Sequence, residues 1–248
     1  MNDIHSARHY LLQVVLPAYE ELGRSLHDGV IGGRRDIAAL GRAAEACLHL
    51  ADHVASEPKF NSSIDGAPKS KKYVKALAET YPWFAMTQDI ANSWKHRVIS
   101  DPDRTIEGLS SLLERWALVR YSDSQGQYFA ARKVVLVQLR DKSELFGEDV
   151  IARCLEEWGL ELIRLGVIQS PPRLVHIPRM ALRADVPAKP QMEMRGVQGE
   201  YFESKPVLLQ YDEQNDRFLP LVGKIGSVDI EFTAVIAPSP FSADGAGA

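Results

Sequence analysis

Two stretches decide how this chain is read: IAALGRAAEACLHLADHVA at residues 37–55 and PWFAMTQDIANSWKHRVI at residues 82–99. Each combines helix-favouring alanine, leucine and methionine with apolar positions at helical intervals. A polar stripe interrupts the apolar pattern of both. In the first it consists of Arg42, Glu45, His49, Asp52 and His53; in the second, of Asp89, Asn92, Lys95 and His96. Spacings of three, four and seven residues return to one side of a helix, so packing the two helices face to face would bring the stripes together.

Working outward, ARHYLLQVVLPAYEELGRSL (7–26) has helical periodicity with Pro17 in its interior, where a proline should kink the helix. Asp28, Gly29, Gly32 and Gly33 break that segment, and Asp36 or its neighbours open the next helix. The loop KFNSSIDGAPKS (59–70) leads to a short helix, KKYVKALAETY (71–81), and Pro82 suits the first turn of the one that follows. Residues 1–100 are therefore expected to form an N-terminal four-helix bundle bounded by Asp101-Pro102-Asp103.

Beyond Arg104 the periodicity changes. ERWALVRYSDSQGQYFAARKVVLVQL (114–139) reads as a β-hairpin, and GEDVIARCLEEWGLELIRLG as an amphipathic helix at about 146–166 with Val150, Cys154, Trp158 and Leu162 on its apolar side. That helix is expected to lie across the hairpin, with Glu156, Glu157 and Glu161 on its exposed face. Prolines 171, 172, 178, 187 and 190 predict an irregular connection. PVLLQYDEQNDRFLPLVG (206–223) reads as a second hairpin and VDIEFTAVIA (228–237) as a further strand, with an edge strand available for partner binding or dimer formation. The expected fold is α+β: a helical bundle at 1–100, a smaller β-rich region with one helix at 101–238, and a disordered tail at 239–248.

Composition narrows the functional classes. The 248 residues are 45% hydrophobic and 25% charged with a formal charge of −4, ordinary values for a globule and without global attraction to polyanions. Cys47 and Cys154 are far apart in sequence and lack CxxC spacing, which predicts reduced thiols and excludes a cysteine zinc site. No basic leader precedes the first apolar run, and no run reaches the ~18 residues of a membrane span, so a cytoplasmic protein without membrane contact is expected. Neither a Walker nor a Rossmann glycine loop occurs, nor a G-x-S-x-G elbow, and no cofactor is implied.

DIANSWKHR (89–97) resembles the Asp-x-x-Asn-x-x-Lys-His signature of uncharacterised bacterial proteins with HEPN-like helical bundles. LHLADHV (48–54) is similar to the His-Leu-Ala-Asp segment of their preceding helix. The resemblance covers roughly residues 1–100 and implies a HEPN-like bundle. In the ribonucleases of that family an arginine followed after four to six residues by a histidine cleaves RNA without metal, which maps here onto Arg42 and His49; Ala43 stands where those enzymes usually carry Asn, Asp or His.

Three functional readings follow. In the first, the chain is a toxin or defence ribonuclease acting on RNA. His49 is its acid/base, Arg42 stabilises charge, and Asp89, Asn92 and His96 assist. In the second, the chain is a non-catalytic interaction protein, a homodimer or the binder of another protein, whose stripes form a structural hydrogen-bond network. In the third, His49 and His53, at i and i+4, bind a metal together with His96 or Asp89. Arg34, Arg35, Lys69, Lys71, Lys72, Lys95 and Arg97 are expected to be a solvated basic face, and the four tryptophans core or interface anchors.

Overall fold

The computed structural model describes residues 6–27, 30–32, 34–57, 69–96, 99, 101, 103–174, 181–187, 189–197, 206–223 and 228–237. The loop at 58–68, Arg97, much of the proline-rich connection and the tail at 239–248 lie outside the described residues. The chain divides into two compact units. One comprises Met1–Gly23, Ile37–Leu113 and Val135–Val175; the other comprises Arg24–Asp36, Glu114–Val134 and His176–Ala248.

The first unit is mainly helical. Helix α1 (Ala7–Tyr10) passes through a π-helical turn, Leu11–Val15, into α2 (Leu16–His27). That turn lies just before Pro17, and its wider winding accommodates the missing N–H and the ring, which would otherwise strike the carbonyl four residues back. Helices α3 (Arg35–Ser56), α4 (Lys69–Thr80) and α5 (Pro82–Lys95) follow, and Pro82 occupies the first turn of α5. At Gly41 of α3 a β-carbon would lie 2.6 Å from Trp94 Cγ on α5, so glycine is what allows the two helices this approach.

The expected N-terminal four-helix bundle is not the architecture of this chain, because the helices are completed by α6 (Gly147–Arg164) from far along the sequence. Val150, Ile151, Ala152, Cys154, Leu155, Trp158, Gly159 and Leu162 are all buried, an arc of more than half the helix circumference, where the periodicity predicted a single apolar side. Such a helix needs neighbours on several sides. Trp158 donates its indole N–H to the Cys47 carbonyl at 3.1 Å and meets Phe84 edge-on at 5.7 Å.

The acidic residues of α6 are not a uniformly exposed face either. Glu157 caps α5: its carboxylate accepts from the backbone N–H groups of Trp83 (3.2 Å) and Phe84 (2.7 Å), a task the N-cap residue Tyr81 does not perform with its own side chain. Glu161 is buried. It accepts from the hydroxyls of Tyr73 (2.7 Å) and Tyr81 (3.3 Å) and forms a two-pronged pair with Arg164, both arms 2.7 Å. Burial pushes its carboxyl upward, but the guanidinium and hydroxyl donors outweigh that and hold it below the usual range.

Strands β2 (Leu112–Asp123) and β3 (Gly126–Gln138) form the expected long hairpin, and both cross between the units. A five-stranded sheet runs in the order β4 (Glu144–Phe146), β3, β2, β6 (Val207–Asp212), β7 (Arg217–Pro220). Its β6–β7 pair is antiparallel, as a hairpin must be, whereas β2 and β6 are parallel. A second sheet, in the order β1 (Val30–Ile31), β5 (Gln191–Val197), β8 (Glu231–Ala237), is parallel throughout. Neither β1 nor β5 is expected from the sequence. Ile31, Trp116, Leu118 and Met192 form the apolar cluster beneath this sheet.

Candidate functional site

The first stripe begins with Arg42, exposed on α3, whose Nη2 donates to Glu21 on α2 at 2.6 Å. Glu45 pairs with Lys95 of α5 at 3.4 Å, so the two stripes do meet at this point. His49 Nδ1 lies 3.2 Å from Asp52 Oδ2, both side chains about half exposed (49% and 53%). His53 turns the other way and stacks on Tyr10, with ring centroids 3.9 Å apart.

The second stripe is also divided. Asp89 is buried; Oδ1 accepts from Arg104 Nη1 at 2.9 Å, and Oδ2 from both the backbone N–H and the hydroxyl of Thr105 at 2.8 Å. It fastens the segment that follows α5. His96 is the exposed C-cap of α5, its backbone N–H donating to the carbonyl of Asn92 at 2.8 Å. The five residues nominated for catalysis, Arg42, His49, Asp89, Asn92 and His96, therefore serve several separate places on the helices.

His49 and Asp52 open onto a groove of about 780 Å³ that Lys71, Lys75 and Arg104 also line; Arg42, Asn92 and His96 do not line it. The groove has an acid and base partner in reach of solvent, which is the minimum for proton transfer. Its charge does not favour a polyanion. Three cations face Asp52, Glu79, Asp101 and Asp103. The metal set His49, His53 and His96 is not assembled, and among the described residues no three His, Cys, Asp or Glu side chains group as metal ligands.

A second polar centre belongs to the β-rich unit and was not anticipated. Lys133 of β3 and Asp36 at the start of α3 have wholly buried side chains, with Nζ 3.0 Å from Oδ1 and 2.8 Å from Oδ2. The same ammonium donates to the Val30 carbonyl at 2.6 Å, and Glu114 of β2 accepts from the Gly32 N–H at 3.0 Å. Gly32 has φ 112°, a conformation that suits glycine and aims its N–H at Glu114. Burial, with Asp36 alongside, pushes the Glu114 carboxyl up to about 7, and burial lowers the Lys133 ammonium. The one signal in the sequence was a lysine at the head of an apolar strand run, Lys133-Val-Val-Leu-Val.

A third feature is the margin of the parallel sheet. Among the described residues β8 pairs with β5 on one side only, and its residues Glu231 to Val235 are exposed, including Phe232 at 44% and Val235 at 49%. Among the described residues, no helix is long and apolar enough to cross a membrane. No family model, no curated protein and no solved structure matches this chain.

Proposed function

We propose that this chain is a non-catalytic interaction protein that associates with a second copy of itself through the open edge of β8. The observation that carries the reading is the edge itself: a seven-residue strand with no outer neighbour among the described residues and apolar side chains in solvent. Unpaired backbone N–H and C=O groups along such an edge are a template for another strand. Two-fold pairing sets the copies antiparallel, and residues 232–237 carry no charge, so no like charges oppose each other; the two Glu231 residues fall at opposite ends. The dispersal of the α3 and α5 polar residues into separate pairings supports a structural role for them.

Sedimentation equilibrium of the full chain tests the reading. A dimer is expected for the parent protein, and a monomer with unchanged circular dichroism for Ala234→Pro, because the Glu231 N–H turns inward to the Pro190 carbonyl and strand alternation leaves the Ala234 N–H on the open side. A monomeric parent at high micromolar concentration sinks the proposal.

One observation favours a second reading, metal-independent cleavage of RNA: the His49–Asp52 pair opening on its groove. Purified protein incubated with mixed RNA in chelator decides it. Cleavage abolished in both His49→Ala and Asp52→Asn establishes this reading, and intact RNA discards it. The HEPN-like resemblance lends it less weight than the sequence suggested, since the four-helix bundle it implies is not the architecture here.

A further inference from the structure

We propose that Asp36, Glu114 and Lys133 form a pH-sensitive latch that ties β1 and the start of α3 to the β2–β3 hairpin, closed when Glu114 holds a proton and loosened when it loses it. The inference is independent of the β8 reading.

The geometry begins with a deficit. One ammonium faces two carboxyl groups, and with both ionised the buried cluster carries a net negative charge. Lys133 donates to Asp36 Oδ1, and although its Nζ lies 2.8 Å from Oδ2, that oxygen has no donor in hydrogen-bonding geometry among the described residues. The ammonium pairs with that oxygen by charge, and a directed donor would add to the pairing. Glu114, held against Gly32 beside this pair, has its carboxyl raised by Asp36 through both hydrogen bonding and charge. As a carboxylic acid it offers the O–H that Asp36 lacks; as a carboxylate it offers only a second negative charge.

Among the described residues, Arg35 of α3 contributes positive charge felt at Lys133, β1 and its turn present the Val30 carbonyl and the Gly32 N–H, and β2 and β3 present Glu114 and Lys133 themselves. The Glu114 carboxyl, held up to about 7 by burial and by Asp36, exchanges its proton with water near neutrality.

The latch also holds one margin of the parallel sheet. Lys133 and Glu114 bind the carbonyl of Val30 and the N–H of Gly32, which bracket Ile31 of β1, and β1 is the outer strand of the sheet opposite β8.

Thermal unfolding of the full chain and of Glu114→Gln, followed from mildly acidic to mildly alkaline pH, is the test. For the parent, the unfolding constant is expected to rise by up to about tenfold per pH unit between 4.5 and about 7. Glu114→Gln, which keeps a donor for Asp36 at every pH, is expected to lose that dependence. Parallel pH profiles for the two proteins overturn the proposal. Carbon-13 titration of the Glu114 side chain in the parent protein gives a second reading that needs no variant. A midpoint near 7 upholds the latch, and a midpoint at the ordinary carboxylate value overturns it.

Discussion

At the scale of single residues, the cost of a substitution follows from whether a polar atom is buried and already taken, more than from its chemical type. Asp89 and His49 illustrate the contrast. Asp89→Ala strips Arg104 and Thr105 of their acceptor inside the helical unit and is expected to destabilise the fold by about 2 to 4 kcal/mol, read as a fall in denaturation midpoint. His49→Ala removes a half-exposed pair and is expected to change stability by less than about 0.5 kcal/mol. Gly41→Ala drives a methyl group into Trp94 and is expected to cost about 1 to 3 kcal/mol in the same measurement. A neutral Asp89→Ala would show that the segment after α5 is held by something other than this carboxylate.

At the scale of elements, α6 organises the helical unit through its carboxylates as well as its apolar surface. Glu157 supplies the N-terminal cap that α5 lacks, so Glu157→Ala is expected to cost about 1 kcal/mol and to raise amide exchange at Trp83 and Phe84. Glu161 sets an acid limit. Its folded-state carboxyl lies below the ordinary value, so it contributes stability above the unfolded carboxylate range, and that contribution is lost as pH falls through the folded value. Acid unfolding of the parent protein is therefore expected to be steeper than that of Glu161→Gln, and coincident acid limbs would refute the role given to the Tyr73–Glu161–Arg164 cluster.

At the scale of the whole molecule, two titrations of opposite sign shape the stability profile. The raised Glu114 group withdraws stability as pH climbs from 4.5 to about 7, up to about 3 kcal/mol, while the lowered Glu161 group withdraws it in acid. Maximum stability is expected on the mildly acidic side of neutrality, and a maximum in alkaline solution would contradict the Glu114 assignment. The proposed association through β8 would rest on backbone hydrogen bonds and apolar side chains. Its dissociation constant is accordingly expected to change little with salt in sedimentation experiments, whereas a strong salt dependence would point to a charged interface elsewhere.

The sequence by itself determined the helices at α3, α4 and α5, the start of α5 at Pro82, the β2–β3 and β6–β7 hairpins and the strand β8, because periodicity and proline chemistry act within a few residues. It also singled out Glu45 and Lys95, which do meet. Only the tertiary structure decided that α6 completes the helical unit, that β1, β5 and β8 run parallel, and that Asp36, Glu114 and Lys133 converge from positions up to 97 residues apart. A single polar side chain carries no mark of its future partner. Whether Asp89 becomes a buried anchor and His49 a surface pair is fixed by which segments arrive beside them, and that arrival is a property of the assembled chain.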